Sequence, residues 1–358
     1  MKSPWTLLTL SIVMISVSCK KDPVTAPPAN PPVNEPKVTV STLAGEGTPS
    51  YVDGPFLTAE FSSPIDLVFS NSGSLFVTDI DNHRVREMKQ GLVSAFAGSD
   101  TINIVNGRGK AVAFRFPFSI TSDLAGNLYT SDINDPRIRK ITPDGVVSVY
   151  AGVEAEGFRD GNADGAKFYI ANFIVSDDQG NVYVSEPLDN RIRKISNTGI
   201  VSSIAGTGTA GFNDGDGAAA EFHNPGGIVI DRSGNLFVVD RQNFRIRKIT
   251  PSGQVSTFAG TGRPGRQDGN AQQAGFSSET RDLVIDNKGN LYLSDDHRIR
   301  KISPDAVVTT IAGSGAGYKD GEGGEAEFNL PYGLGIDPSG NVYVADVGNN
   351  RIREIKIE

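Results

Sequence analysis

A block of about fifty-four residues is written six times along this 358-residue chain. Its Ala-Gly landmark falls at Ala44-Gly45, Ala97-Gly98, Ala151-Gly152, Ala205-Gly206, Ala259-Gly260 and Ala312-Gly313. An Arg-x-Arg landmark keeps step at Arg84/Arg86, Arg137/Arg139, Arg191/Arg193, Arg245/Arg247, Arg298/Arg300 and Arg351/Arg353. A period this long and this regular means stacked copies of one supersecondary unit, because one copy alone cannot bury its apolar face.

The fourth copy shows what the unit is. Gly227–Ile230 is a short run ending in β-branched residues, and Asp231-Arg232-Ser233-Gly234-Asn235 has the make-up of a tight hairpin turn. Strands are expected over Asn235–Val239, Arg245–Ile249 and Gln254–Ala259, with a second turn at Pro251-Ser252-Gly253. Four antiparallel strands joined by tight hairpins make a propeller blade, so the expected fold is an all-β, six-bladed β-propeller of four-stranded blades. The last copy stops after its third strand, at Ile355-Lys356-Ile357-Glu358, while Val38–Ala44 at the start reads as an orphan fourth strand. Pairing these two segments would complete the last blade, close the ring and remove two exposed edges.

The stretches Gly340–Lys356 and Gly234–Ile249 carry the pattern G-N-L-Y-V-x-D-x-x-N-x-R-I-R-K-I almost intact. In this the chain resembles the NHL-repeat family of β-propellers, from Val38 to its C-terminus. The resemblance implies a six-bladed ring that mediates interactions. Similar propellers also include lactonases and lyases with a divalent metal at the channel mouth.

The single cysteine, Cys19, directly follows an apolar run from Leu7 to Val17 and the small residue Ser18. Residues 1–18 read as a secretory signal peptide, too short for a spanning helix. The position of Cys19 resembles the lipobox of bacterial lipoproteins, Bacteroidetes-like in type, with Ser16 where Leu, Val or Ile is usual. Cys19 is therefore the expected lipidation site, and residues 19–37, with six prolines, form a tether to the propeller of residues 38–358. The protein is expected to be exported and lipid-anchored to the bacterial envelope, at the periplasmic or the surface side of the outer membrane. Membrane contact would be through that anchor only. A net charge of −8 repels phosphate backbones and argues against nucleic acid as a partner.

An acid follows the second strand of every copy: Asp79, Asp132, Glu186, Asp240, Asp295 and Asp346. In five copies the first arginine comes five residues later, so the expectation is an ion pair between the two that satisfies both charges between blades. Asp-Gly steps recur at 53–54, 160–161, 214–215, 268–269 and 320–321, with Asn106-Gly107 in the second copy. They read as turns, since the full ligand set of a calcium loop is missing. The aromatic after each, Phe61, Phe114, Phe168, Phe222, Phe276 and Phe328, reads as a core plug. His83, His223 and His297 fall in three different blades and read as unrelated surface residues rather than a metal site.

Function is expected where the copies disagree, because shared residues already have structural duties. At the entry to each inner strand, beside the channel mouth on the long-loop face, the copies differ most. The candidate ligand-binding residues are Asp66, Asn172, Phe173, Arg281, Asp282 and Tyr332. The leading reading is a monomeric binding module that takes a protein, peptide or glycan partner in the envelope and needs no cofactor. The alternative is a metal-dependent enzyme, lactonase- or lyase-like, in which Asp66, Asp282 and Asn172 would serve a divalent metal that polarises a carbonyl.

Overall fold

The computed structural model describes residues 36–358. The expected signal peptide, Cys19 and nearly all of the expected tether lie outside the described residues. Residues 37–358 form one unit of six antiparallel sheets, the blades of a ring. In blade four the inner strand is Pro225–Ile230, followed outward by Leu236–Asp240, Arg245–Ile249 and Gln254–Ala259. The last blade is completed as expected: Val38–Ala44 pairs antiparallel with Arg351–Ile357, in a register running from Val38 opposite Ile357 to Ala44 opposite Ile352.

Each blade also carries a fifth, two-residue strand that the sequence did not announce. It is formed at the Asp-Gly step, as where Gly215-Asp216 pairs with Val255 and Gln254 at the outer edge. The chain leaving one blade thus runs along the outside of the next before entering its inner strand. Gly215 has φ +123°, open to glycine and rarely to other residues, which explains the step itself. The Ala-Gly landmark has a separate cause. A side chain on Gly206 would run into the carbonyl of Asn190 and the Cα of Arg191, so the outer strand packs there on bare backbone.

The second arginine of each pair, not the first, sits at the centre of the blade. The six second arginines and the six plug phenylalanines are the largest fully buried side chains among the described residues. Arg86 pairs with Asp79 at 2.6 Å, Arg193 with Glu186, Arg247 with Asp240, Arg300 with Asp295 and Arg353 with Asp346, each of these at 2.7 Å. The same five guanidiniums reach the aspartates of the Asp-Gly steps: Asp53, Asp160, Asp214, Asp268 and Asp320. These aspartates are therefore charge partners as well as turn formers. The pairs lie within a blade and its incoming connection, which corrects the expectation of ion pairs between blades.

The first arginine has a different duty. Arg84, Arg191, Arg245 and Arg351 stack over Tyr51, Phe158, Phe212 and Tyr318, with the guanidinium carbon about 4 Å from each ring centroid. The acid lies opposite the first arginine in backbone register, as Asp79 does Arg84, yet its carboxylate turns to the second. Blade two is the exception. There Asn106 replaces the aspartate, Arg139 has no ion pair, and its Nε and Nη1 are buried without a hydrogen-bond partner. Burial lowers the pKa of Arg139 to about 10.

Candidate functional site at the channel mouth

Inner strands begin, and second strands end, on the face where the long connections cross, as the pairing of Pro64 with Asp79 shows. The third residue of each inner-strand entry reads Asp66, Ser119, Phe173, Gly227, Asp282 and Gly333. Beneath the mouth the channel narrows to a cavity of about 160 Å³ lined by Asp66, Ser119, Phe173, Asp282 and the aliphatic residues that follow them.

Asp66 and Asp282 bolt neighbouring blades together. Asp66 accepts the backbone N–H of Leu67 at 2.8 Å and, from the next blade, that of Ile120 at 2.9 Å. Asp282 accepts the N–H of Leu334 in the next blade at 2.9 Å and that of Leu283 beside it. Ser119 receives Ile174 N–H in the same way, at 3.2 Å. A second row of bolts lies one strand out, where the hydroxyls of Thr78, Ser131 and Ser294 donate to the carbonyls of Phe118, Asn172 and Tyr332, each at 2.6 Å. Gly333 and Gly227 have no side chain because the Cα atoms of Asp66 and Asp282 occupy that space.

Both carboxyls are buried, and burial pushes them up, Asp66 to about 7 and Asp282 well above the carboxylate range. The Asp66 charge raises Asp282 further, so the two sense each other across the channel. The N–H donors oppose the shift at both sites without reversing it.

Above the carboxyls the mouth is filled by rings. Phe173 of blade three stacks on Tyr332 of blade six, with centroids 6.0 Å apart and planes at 14°, so the contact crosses the axis. Phe118 meets both edge-on, at 5.4 and 5.5 Å. Phe116, Ile133 and Val347 pack around this cluster, half-buried, with Ile65 and Ile80 beneath. Farther out on the same face Leu188 is 60% exposed and Leu330 48%. This apolar arc runs through blades six, one, two and three.

Blades four and five complete the circle with charge. Arg281 lies over the Tyr332 ring, 5.2 Å from its centroid, and pairs with Glu279. Arg241, laid across Gly226, donates to Asn224 Oδ1 at 3.1 Å, and its Nε is buried without a partner. Burial lowers the pKa of Arg281, and the neighbouring Arg241 charge adds to that shift. Asn172 is half-buried at the mouth, and its Oδ1 also lacks a hydrogen-bond partner.

All six sequence-derived candidates thus border the mouth or the channel below it. Asp66 and Asp282 lie beneath the aromatic layer, whereas Arg281 and Tyr332 face each other within the mouth. Ile133, Leu188 and Arg241 were missed, although each follows or nearly follows a repeated acid, where the copies read Ile80, Ile133, Pro187, Arg241, Asp296 and Val347. A cleft of about 1040 Å³ on the opposite face, between blades three and four, was also missed. Tyr183 and Ile204 line it, where blades one, two and four bring two rings together. The histidines stay apart: His83 Nδ1 meets the Arg115 carbonyl, and His297 Nδ1 accepts Leu330 N–H. Among the described residues no group of three or more His, Cys, Asp or Glu side chains is arranged to hold a metal.

Comparison with known proteins agrees with this architecture. The teneurin NHL domain matches residues 97–267, and the NHL repeat matches residues 328–355. Human Teneurin-4 is 26% identical over 341 residues, covering 67% of this chain and 12% of its own, so the chain spans about an eighth of that relative. An auxiliary nutrient binding protein from Bacteroides thetaiotaomicron superposes with a TM-score of 0.67 at 20% identity, covering 90% of this chain and 77% of its own. A gluconolactonase from Xanthomonas campestris superposes with a TM-score of 0.59 at 12% identity, covering 93% and 99%. The ring, the repeat motif and these matches define an all-β propeller of six blades. The chain is a six-bladed β-propeller that carries the NHL repeat.

The buried carboxyls generate a pH dependence with a definite sign. Each has a folded pKa above its unfolded one, so its contribution is fully present below about 4 and is lost as pH rises, through about 7 for Asp66. Asp66→Asn should therefore gain in melting temperature relative to the wild-type protein between these limits. A difference that stays constant across the window would contradict the assignment.

Proposed function

We propose that this protein is a binding module of the bacterial envelope, and that the long-loop face of its propeller holds a partner. The observation that carries the reading is the mouth itself, where half-buried apolar side chains, with Leu188 and Leu330 exposed farther out, adjoin two arginines above the channel. Isolated surface leucines are ordinary, but a contiguous apolar patch with a charged rim marks an interaction site. The fold shared with an auxiliary nutrient binding protein is in keeping with this. On the same reading the protein is exported, anchored through a lipid on Cys19 and acts as a monomer at the end of its proline-rich tether.

A second reading is favoured by one observation, the two carboxyls that sense each other in the channel. A metal-dependent enzyme, lactonase- or lyase-like, would use Asp66, Asp282 and Asn172. Its test is the metal content of protein purified without chelator. One equivalent of a divalent ion, lost in Asp66→Asn, would promote this reading over the first.

The binding reading is tested at Leu188, whose exposure lets it change without disturbing the core. Leu188→Asp should cut crosslinked capture of the envelope partner by about tenfold or more, with an unchanged melting temperature. Unchanged capture would remove this face from consideration.

A further inference from the structure

The mouth carries more positive charge than its own carboxylates answer. Of the two arginines, Arg281 alone has a carboxylate partner, Glu279. The other acids nearby are engaged elsewhere: Asp296 pairs with Arg266 at 2.5 Å, and Asp240 with the buried Arg247. Asp282 lies below, its oxygens turned to backbone N–H groups. Arg241 makes its contacts with neutral acceptors alone, Asn224 Oδ1 at 3.1 Å and the Ser278 carbonyl at 3.5 Å. A guanidinium with neutral partners beside an apolar surface is a ready carboxylate receptor.

The geometry points to a peptide ligand that ends in an apolar residue, its free C-terminal carboxylate at Arg241 and Arg281 and its last side chain on the half-buried Tyr332 ring and the partly accessible apolar side chains around it. This rests on the binding reading and names the chemistry of that site. Cation and ring are neighbours here, with Arg281 5.2 Å from the Tyr332 centroid. The carboxylate and side chain of a terminal residue leave the same Cα, so the two groups can reach both features together. The partly accessible side chains around that ring are hydrocarbon, from Phe116, Ile133 and Val347. A sugar acid would place hydroxyls there without acceptors, and burying unpaired hydroxyls is costly.

The test uses N-acetyl-Ala-Phe with a free carboxylate, its C-terminal amide and the methyl glycoside of glucuronic acid, read by ligand-observed NMR on the purified protein. The free acid should bind at least about tenfold more tightly than the amide, and more tightly than the sugar acid. Arg241→Ala and Arg281→Ala should each weaken the acid and leave the amide nearly unchanged. Glu279→Gln should strengthen binding of the acid severalfold, because it removes the competing carboxylate. A loss of fold would not produce that gain. Equal binding of acid and amide, tighter binding of the sugar acid, or no binding of the acid at millimolar concentration would each overturn the inference. The binding reading would survive any of these if capture still depended on Leu188, and would fall with it otherwise.

Discussion

The fold depends on a guanidinium buried in every blade. Removing such a charge from water costs several kcal/mol, and the cost is offset only where its donors are met with good geometry. Arg247 shows how this is done. Asp240 and Asp214 supply carboxylates at 2.7 and 2.5 Å, the carbonyls of Glu221 and Asn213 take the remaining Nη hydrogens, and Phe212 and Phe222 cover it at 4.8 and 5.0 Å. These partners come from the second strand and from two points on the incoming connection, residues 212–214 and 221–222. One side chain thus fixes a long loop against the blade it is about to enter. A repeated buried ion pair is weak evidence for stability as such, and its clearer role is to specify one path for the connection.

With the connections fixed this way, the inner-strand entries are held without help from the side chains above the channel. Their carbonyls and N–H groups are bolted from the preceding blade by Thr78, Ser131, Ser294, Asp66, Ser119 and Asp282. The side chains above are therefore free to differ from blade to blade. They differ by sector, with apolar groups over blades six to three and charge over blades four and five. That asymmetry on a pseudo-sixfold frame gives the face a direction, which a binding surface needs in order to orient a ligand.

The ring, the number of blades and the closing strand were legible because each is a property of the period and its frame. The partner of the repeated acid was not. Backbone register sets Asp79 against Arg84, and only the packed blade reveals that Phe61 and the Asp53 step hold Arg86 nearer its carboxylate. The fifth strands were hidden for a similar reason, since two residues leave no alternation to read. At the mouth, variation between copies pointed to the right strand entries. It did not distinguish Asp66 and Asp282, which face inward and are engaged with backbone, from Arg281 and Tyr332, which face the opening. Ile133, Arg241 and Leu188 lay in loops whose arrangement around the axis the chain order does not disclose.

Blade two offers the most direct measurement of whether the buried arginine carries this weight, because Arg139 alone lacks a carboxylate. Asn106→Asp would place one where Asn106 Oδ1 already accepts from Arg139 Nη2 at 2.8 Å. The equivalent aspartates keep 36 to 44% of their side-chain surface in water, so the new charge would be only partly desolvated. The melting temperature should rise, by roughly 1–2 °C for each kcal/mol gained in a domain of this size. A melting temperature that stays the same or falls would mean that the carboxylates do not support the buried arginine, and the frame would need another explanation.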